Sequence, residues 1–214
     1  MHLGQTTQML SSVLDVPSAT MEKIGRLCRE RGYVRKGARG FNAPHMTPLE
    51  VARLIIGVMA SESPATAIER LEYLASLPHV AKAGGTAKEI AFEQAFAALL
   101  DRCGSDPVAD SIEIMWSVFL DPALSTAGIA SVDESEYHEF SALLGGGDDE
   151  GPELPYITGL QRTARIGFLP LIVIGKAVSG RSIPSVREEI RAELDARMAA
   201  RDGRFPDEER EEVE

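Results

Sequence analysis

The chain has 214 residues, 44% of them hydrophobic, enough to build a sizeable core in one domain or two small ones. A formal net charge of −11 argues against a protein that coats nucleic acid over its whole surface, and two distant cysteines, Cys28 and Cys103, exclude a disulfide framework. No run of about 18 apolar residues occurs, and no basic stretch followed by an apolar one opens the chain, so the expectation is a cytoplasmic protein with no membrane span or secretory signal.

The charge is unevenly spread. Residues 1–54 carry eight Lys or Arg against four Asp or Glu, a local net of +4 that leaves −15 for the rest. Seven of the eight basic residues lie between Lys23 and Arg39, with Glu30 the one acid among them. Such asymmetry points to an anion-binding end on an acidic body; the plainer alternative is a solvated basic helix face.

In chain order, Met9, Leu10, Val13 and Leu14 recur at helical spacing and predict a short helix over 5–14. Asp15-Val16-Pro17 ends it: Asp tolerates a left-handed turn, and Pro17 suits the start of a new helix, which Ser18 or Asp15 can cap. A second helix over 18–31 buries Met21, Ile24, Leu27 and Cys28 and turns Thr20, Glu22, Lys23, Arg26, Arg29 and Glu30 outward. Beyond Gly32 follows a loop with Arg35, Lys36 and Arg39 among Gly37 and Gly40, residues suited to close approach of backbone and guanidinium to phosphate. It lacks the spacing of a nucleotide-binding loop.

Thr47-Pro48-Leu49-Glu50 forms a capping box that opens an apolar core helix over 47–61. This helix is expected to brace the basic unit from downstream. Ser63-Pro64 begins another helix to about Leu77, and Thr86 to Glu89 repeats the capping box for a helix to Cys103, the two forming a helical hairpin. From Asp106 the period changes to two: Ile112, Ile114, Trp116 and Val118 predict a strand over 112–119, with Thr126 to Val132 as its partner. Tyr137 to Leu144 fits strand or helix, Gly145 to Pro155 reads as a mobile loop, and Ile157 to Phe168 reads as a strand. Leu169 to Val178 fits a strand or a short buried helix, and Ser185-x-x-Glu188 opens a charged helix to about Arg201. The remainder, with seven acids from Asp202 to Glu214, reads as a disordered tail.

The spacing of Leu10, Ser11, Leu14, Asp15, Val16, Met21 and Ile24 resembles the helix-turn-helix family of DNA-binding proteins, with Asp15 where that family usually has glycine. The resemblance covers about twenty residues. It implies a bacterial or phage-type transcriptional regulator whose second helix enters the major groove of double-stranded DNA. Ser18, Thr20 and Lys23 would then read bases and Arg26 and Arg29 would contact phosphates, with Arg35, Lys36 and Arg39 as a wing beside them. It also implies a homo-oligomer, a dimer for preference. The coarse order of units is similar to the small subunit of a phage terminase, which would imply DNA packaging by a ring. A third possibility is an acidic protein-interaction module without DNA binding.

His2, His45, His79 and His138 have no ligand at metal spacing, and His138, between Glu136 and Glu139, reads as a surface residue. Asp148-Asp149 sits among glycines, where nothing would desolvate a carboxylate, and no nucleophile or dinucleotide motif is present. No catalytic residue, cofactor or metal is therefore assigned. The expected class is α+β: a helix-turn-helix unit over 1–62, a helical hairpin over 63–104, a small antiparallel-sheet domain with a C-terminal helix over 105–201 for oligomerisation or a protein partner, and an acidic tail over 202–214.

Overall fold

A computed structural model describes residues 1–37, 43–60, 63–80, 89–115, 117–121, 126–131, 137–141 and 164–202. The loop expected over 145–155, the acidic tail beyond 202, Thr86 of the second capping box, Trp116 and Arg39 lie outside these residues.

Helix α1 spans Leu3–Leu14, beginning two residues before the predicted start at residue 5, and α2 spans Ser18–Arg31. Between them Asp15 takes the left-handed conformation expected of it, with φ 53° and ψ 44°. The turn is closed by Ser11: its carbonyl accepts the N–H of Val16 at 3.1 Å, and its hydroxyl donates to the carbonyl of Val16 at 2.7 Å. Neither Ser18 nor Asp15 caps α2. Pro17 occupies the cap, and its carbonyl accepts the N–H groups of Thr20 and Met21, so the start of this helix is held by backbone alone. Gly32 ends α2 at φ 87°, where a left-handed residue can accommodate the last turn.

Helix α3 spans Pro48–Ala60, and the predicted capping box is formed: the Glu50 N–H donates to Thr47 Oγ1 at 3.3 Å, and the Thr47 N–H to Glu50 Oε2 at 2.8 Å. Helix α4 follows over Pro64–Ala75, a two-residue strand β1 over His79–Val80, and α5 over Phe92–Ser105. Helix α5 starts later than its predicted capping box, since Glu89 and Ile90 are not helical. Helices α4 and α5, expected as a hairpin, pack along α3 far more than along each other.

The alternation at Ile112 and Ile114 belongs to a helix, α6 over Val108–Ile114, and not to the start of a strand. Val108 and Ile112 are one helical turn apart and both pack into a cluster with Ile172, Val186 and Ile190. Met115, left-handed at φ 50°, ends α6 and turns the chain towards β2, Ser117–Asp121. Strands β3, Thr126–Ala130, β4, Tyr137–Ser141, and β5, Ala164–Ile166, complete a wholly antiparallel sheet of order β1-β4-β3-β2-β5. Tyr137 to Leu144 thus begins as strand; of the predicted strand 157–168 the described residues are 164–168, of which Ala164–Ile166 form β5 and Phe168 already belongs to a helix. Phe119 stands directly opposite Gly128, and its ring occupies the space a Cβ at Gly128 would need.

The apolar run after β5 takes the helical alternative, α7 over Phe168–Val178, and α8 runs Ile183–Asp202. Helix α7 crosses α5 at backbone contact, through Gly104 and Gly175, and also touches α1. One continuous hydrophobic core runs from Leu10 and Met21 through Leu54, Phe96 and Leu100 to Leu120, Phe140 and Ile174, crossing all three units expected along the chain. The architecture is α+β, with helices over a small antiparallel sheet. Among the described residues, no single helix is long and apolar enough to cross a membrane.

Candidate nucleic-acid interface

The face of α2 turned away from the core is set by its partners. Met21, Ile24, Gly25 and Cys28 are buried, Ile24 against Gly57 of α3 at 3.4 Å from an ideal Cβ there. Gly25 is needed for the approach of α1, since a Cβ at that position would lie 2.8 Å from Thr7 Cγ2. Helices α3 and α4 both contact α2, so the brace expected from residues 47–61 is present and is joined by a second helix.

With that side buried, Ser18, Glu22, Lys23, Arg26 and Arg29 are exposed and Thr20 is half-buried at the edge of the face. Lys23 and Arg29 have no ion-pair partner among the described residues. Arg26 faces Glu30 one turn on, at 3.7 Å with both side chains 59% exposed, a pair too loose and too solvated to neutralise the face. Arg29 and Arg31 also lie in the last turn, where cationic charge complements the helix dipole.

The strap after α2 is fastened at its described ends. Glu50, almost wholly buried, accepts from Arg35 Nε at 2.9 Å, from Arg35 Nη2 at 3.0 Å and from the Arg35 backbone N–H at 2.9 Å. Arg35 Nη2 also donates to the carbonyl of His45 at 2.7 Å. Burial alone would raise the Glu50 carboxyl. The bonds from Arg35, those from the backbone of Thr47 and Arg35, and the Arg35 charge outweigh it and bring the pKa down to about 2. Earlier in the strap, the Tyr33 carbonyl accepts from Arg53 at 3.2 Å, and the same guanidinium pairs with Glu93 of α5 at 2.7 and 2.9 Å. Gly37 lies against Pro44, where a Cβ would have no room.

The structure therefore brings Ser18, Thr20, Lys23, Arg26 and Arg29 onto one helix and places Lys36, exposed, on the strap beyond its end. It sets Arg35 apart: most of that guanidinium's donors are spent on Glu50 and His45, so Arg35 shapes the strap. Glu50 and Arg53 are the residues the sequence left unassigned here. The capping box signalled one of Glu50's two roles; the contact of Arg53 with Glu93, 40 positions away, leaves no local pattern.

His138, expected at the surface, is half-buried beside His79, with His138 Nδ1 and His79 Nε2 3.3 Å apart, because β4 pairs with β1. Among the described residues no group of three His, Cys, Asp or Glu side chains is placed to hold a metal ion. Cys28 and Cys103 are buried, and burial pushes both thiols up to about 12. Comparison of the chain with protein-family models, with curated proteins and with solved structures returns no match.

Proposed function

We propose that the protein binds double-stranded DNA through the outward face of α2 and acts as a transcriptional regulator. The observation that carries this reading is the exposed row Lys23, Arg26 and Arg29 on a helix that follows a three-residue turn with a left-handed Asp15. Ser18 and Thr20, in the first turn of α2, are the base readers in this proposal, with Lys23 beside them; Arg26 and Arg29 contact phosphate. Lys36 extends the phosphate contact along the strap, and Arg35 keeps the strap in place. Arg39 belongs to the same basic stretch of sequence.

Confinement of net positive charge to this end of an acidic chain supports the orientation: the rest of the molecule would be repelled by a polyanion. Selection of bound fragments from a random duplex pool tests the reading. Enrichment of a defined sequence, altered by Thr20→Ala, is the expected outcome; a pool that emerges unenriched sinks sequence-selective binding.

A further inference from the structure

Helix α8 bears on a second surface. Its principal contacts are with α6 and α7, and residues 195–200 are exposed. A groove of about 540 Å³ runs beside it, bounded by α7 and the end of α1. Leu169 and Met198, 36% and 58% exposed, both line it, and they are two of the three large apolar side chains left exposed among the described residues. Ile190 and Leu194 continue the apolar floor between them.

The charges on the rim complement one another in a particular order. Arg187, Arg191 and Asp195 line the groove and have no ion-pair partner among the described residues. Two other arginines on or beside α8 are engaged: Arg197 with Glu193 at 2.8 Å, and Arg181 with Glu189. Along the groove-facing stripe the layers run Arg187, then Ile190 with Arg191, then Leu194 with Asp195, then Met198, at the spacing of one helix face. Reversed, the same stripe sets Leu194 and Asp195 against Ile190 and Arg191, and Met198 against the aliphatic stem of Arg187. A stripe that matches its own reverse is what an isologous two-fold contact requires.

We infer that the α8 groove is the interface with a second copy of this chain, the two α8 helices lying antiparallel about a two-fold axis near residues 192–193. Apolar side chains at the centre supply the buried area, and two copies of the Arg191–Asp195 pair set the register. Dimerisation through this groove is independent of DNA binding and is tested without DNA.

Sedimentation equilibrium of the full chain tests it. The expected mass is twice 23.1 kDa. Arg191→Glu sets two acids against each other and Asp195→Arg two arginines, so each is expected to weaken dimerisation about tenfold or more. The double variant R191E/D195R restores opposite charges in reversed order and is expected to recover the parent's association. Both positions are exposed, so the fold should persist, which circular dichroism checks. A monomeric parent, an oligomer indifferent to both single reversals, or a double variant as weak as the singles would overturn the inference.

Discussion

Glu50 holds Arg35 by two hydrogen bonds to the guanidinium and one to the backbone N–H, while its other contacts cap α3 through Thr47. One buried carboxylate thus ties the start of a core helix to the strap leaving α2. Because the Glu50 pKa is depressed from 4.5 to about 2, the ionised form stabilises the fold. That contribution is fully present above pH 4.5 and is lost as pH falls toward 2. Glu50→Gln is expected to cost roughly 2–3 kcal/mol at neutral pH. The gap between the urea midpoints of parent and variant should be wide at pH 7 and narrower at pH 3, as acid removes the difference; equal midpoints at pH 7 would contradict the role given to this residue.

Gly104 and Gly175 make the crossing of α5 and α7 possible. A methyl at Gly175 would lie 2.7 Å from the Leu100 carbonyl oxygen and 2.7 Å from Cys103 Cβ, both on the backbone or next to it. Gly175→Ala is therefore expected to destabilise by about 1–3 kcal/mol, overriding the roughly 0.5–1 kcal/mol that alanine gains over glycine inside a helix. At Gly57 the nearest atom would be Ile24 Cγ2 at 3.4 Å, ordinary contact, so Gly57→Ala should be neutral or mildly stabilising. Thermal melts of the two variants, moving in opposite directions or by clearly different amounts, check the distinction.

Both thiols are expected to be inert in the native state. With Cys28 and Cys103 pushed up to about 12 by burial, neither is a thiolate at mildly alkaline pH, and neither is accessible. A chromogenic disulfide reagent should titrate both thiols in denaturant and essentially none without it. Rapid native labelling of either cysteine would show that its helix opens locally.

The features legible in the sequence are those with a local cause. Asp15 before Pro17 marks the turn, the period of Met21, Ile24 and Cys28 marks the buried side of α2, and Thr47 with Glu50 marks the start of α3. Helix α6 departs from the strand expected there because Ile112 and Ile114 alternate over too short a stretch to separate a strand from a helix that then turns sharply at Met115. Strand β1 is two residues long and exists through its pairing with β4, a partner some 59 positions away that no local pattern announces. The basic face is visible as charge spacing. The withdrawal of Arg35 from it is not, since that depends on where Glu50 falls in space.

The central claim is that the exposed row on α2 contacts DNA, Arg26 and Arg29 at the backbone, and a salt series tests it most directly. Fluorescence anisotropy of a labelled random-sequence duplex, titrated with the full chain and with the triple variant K23A/R26A/R29A, yields two slopes of log affinity against log salt. The parent should bind at low salt with a steep slope, and the variant should bind more weakly, with a slope shallower by about 0.9 for each phosphate it no longer neutralises. A parent that leaves the duplex unbound at low salt, or a variant whose slope and affinity match the parent's, would contradict the claim.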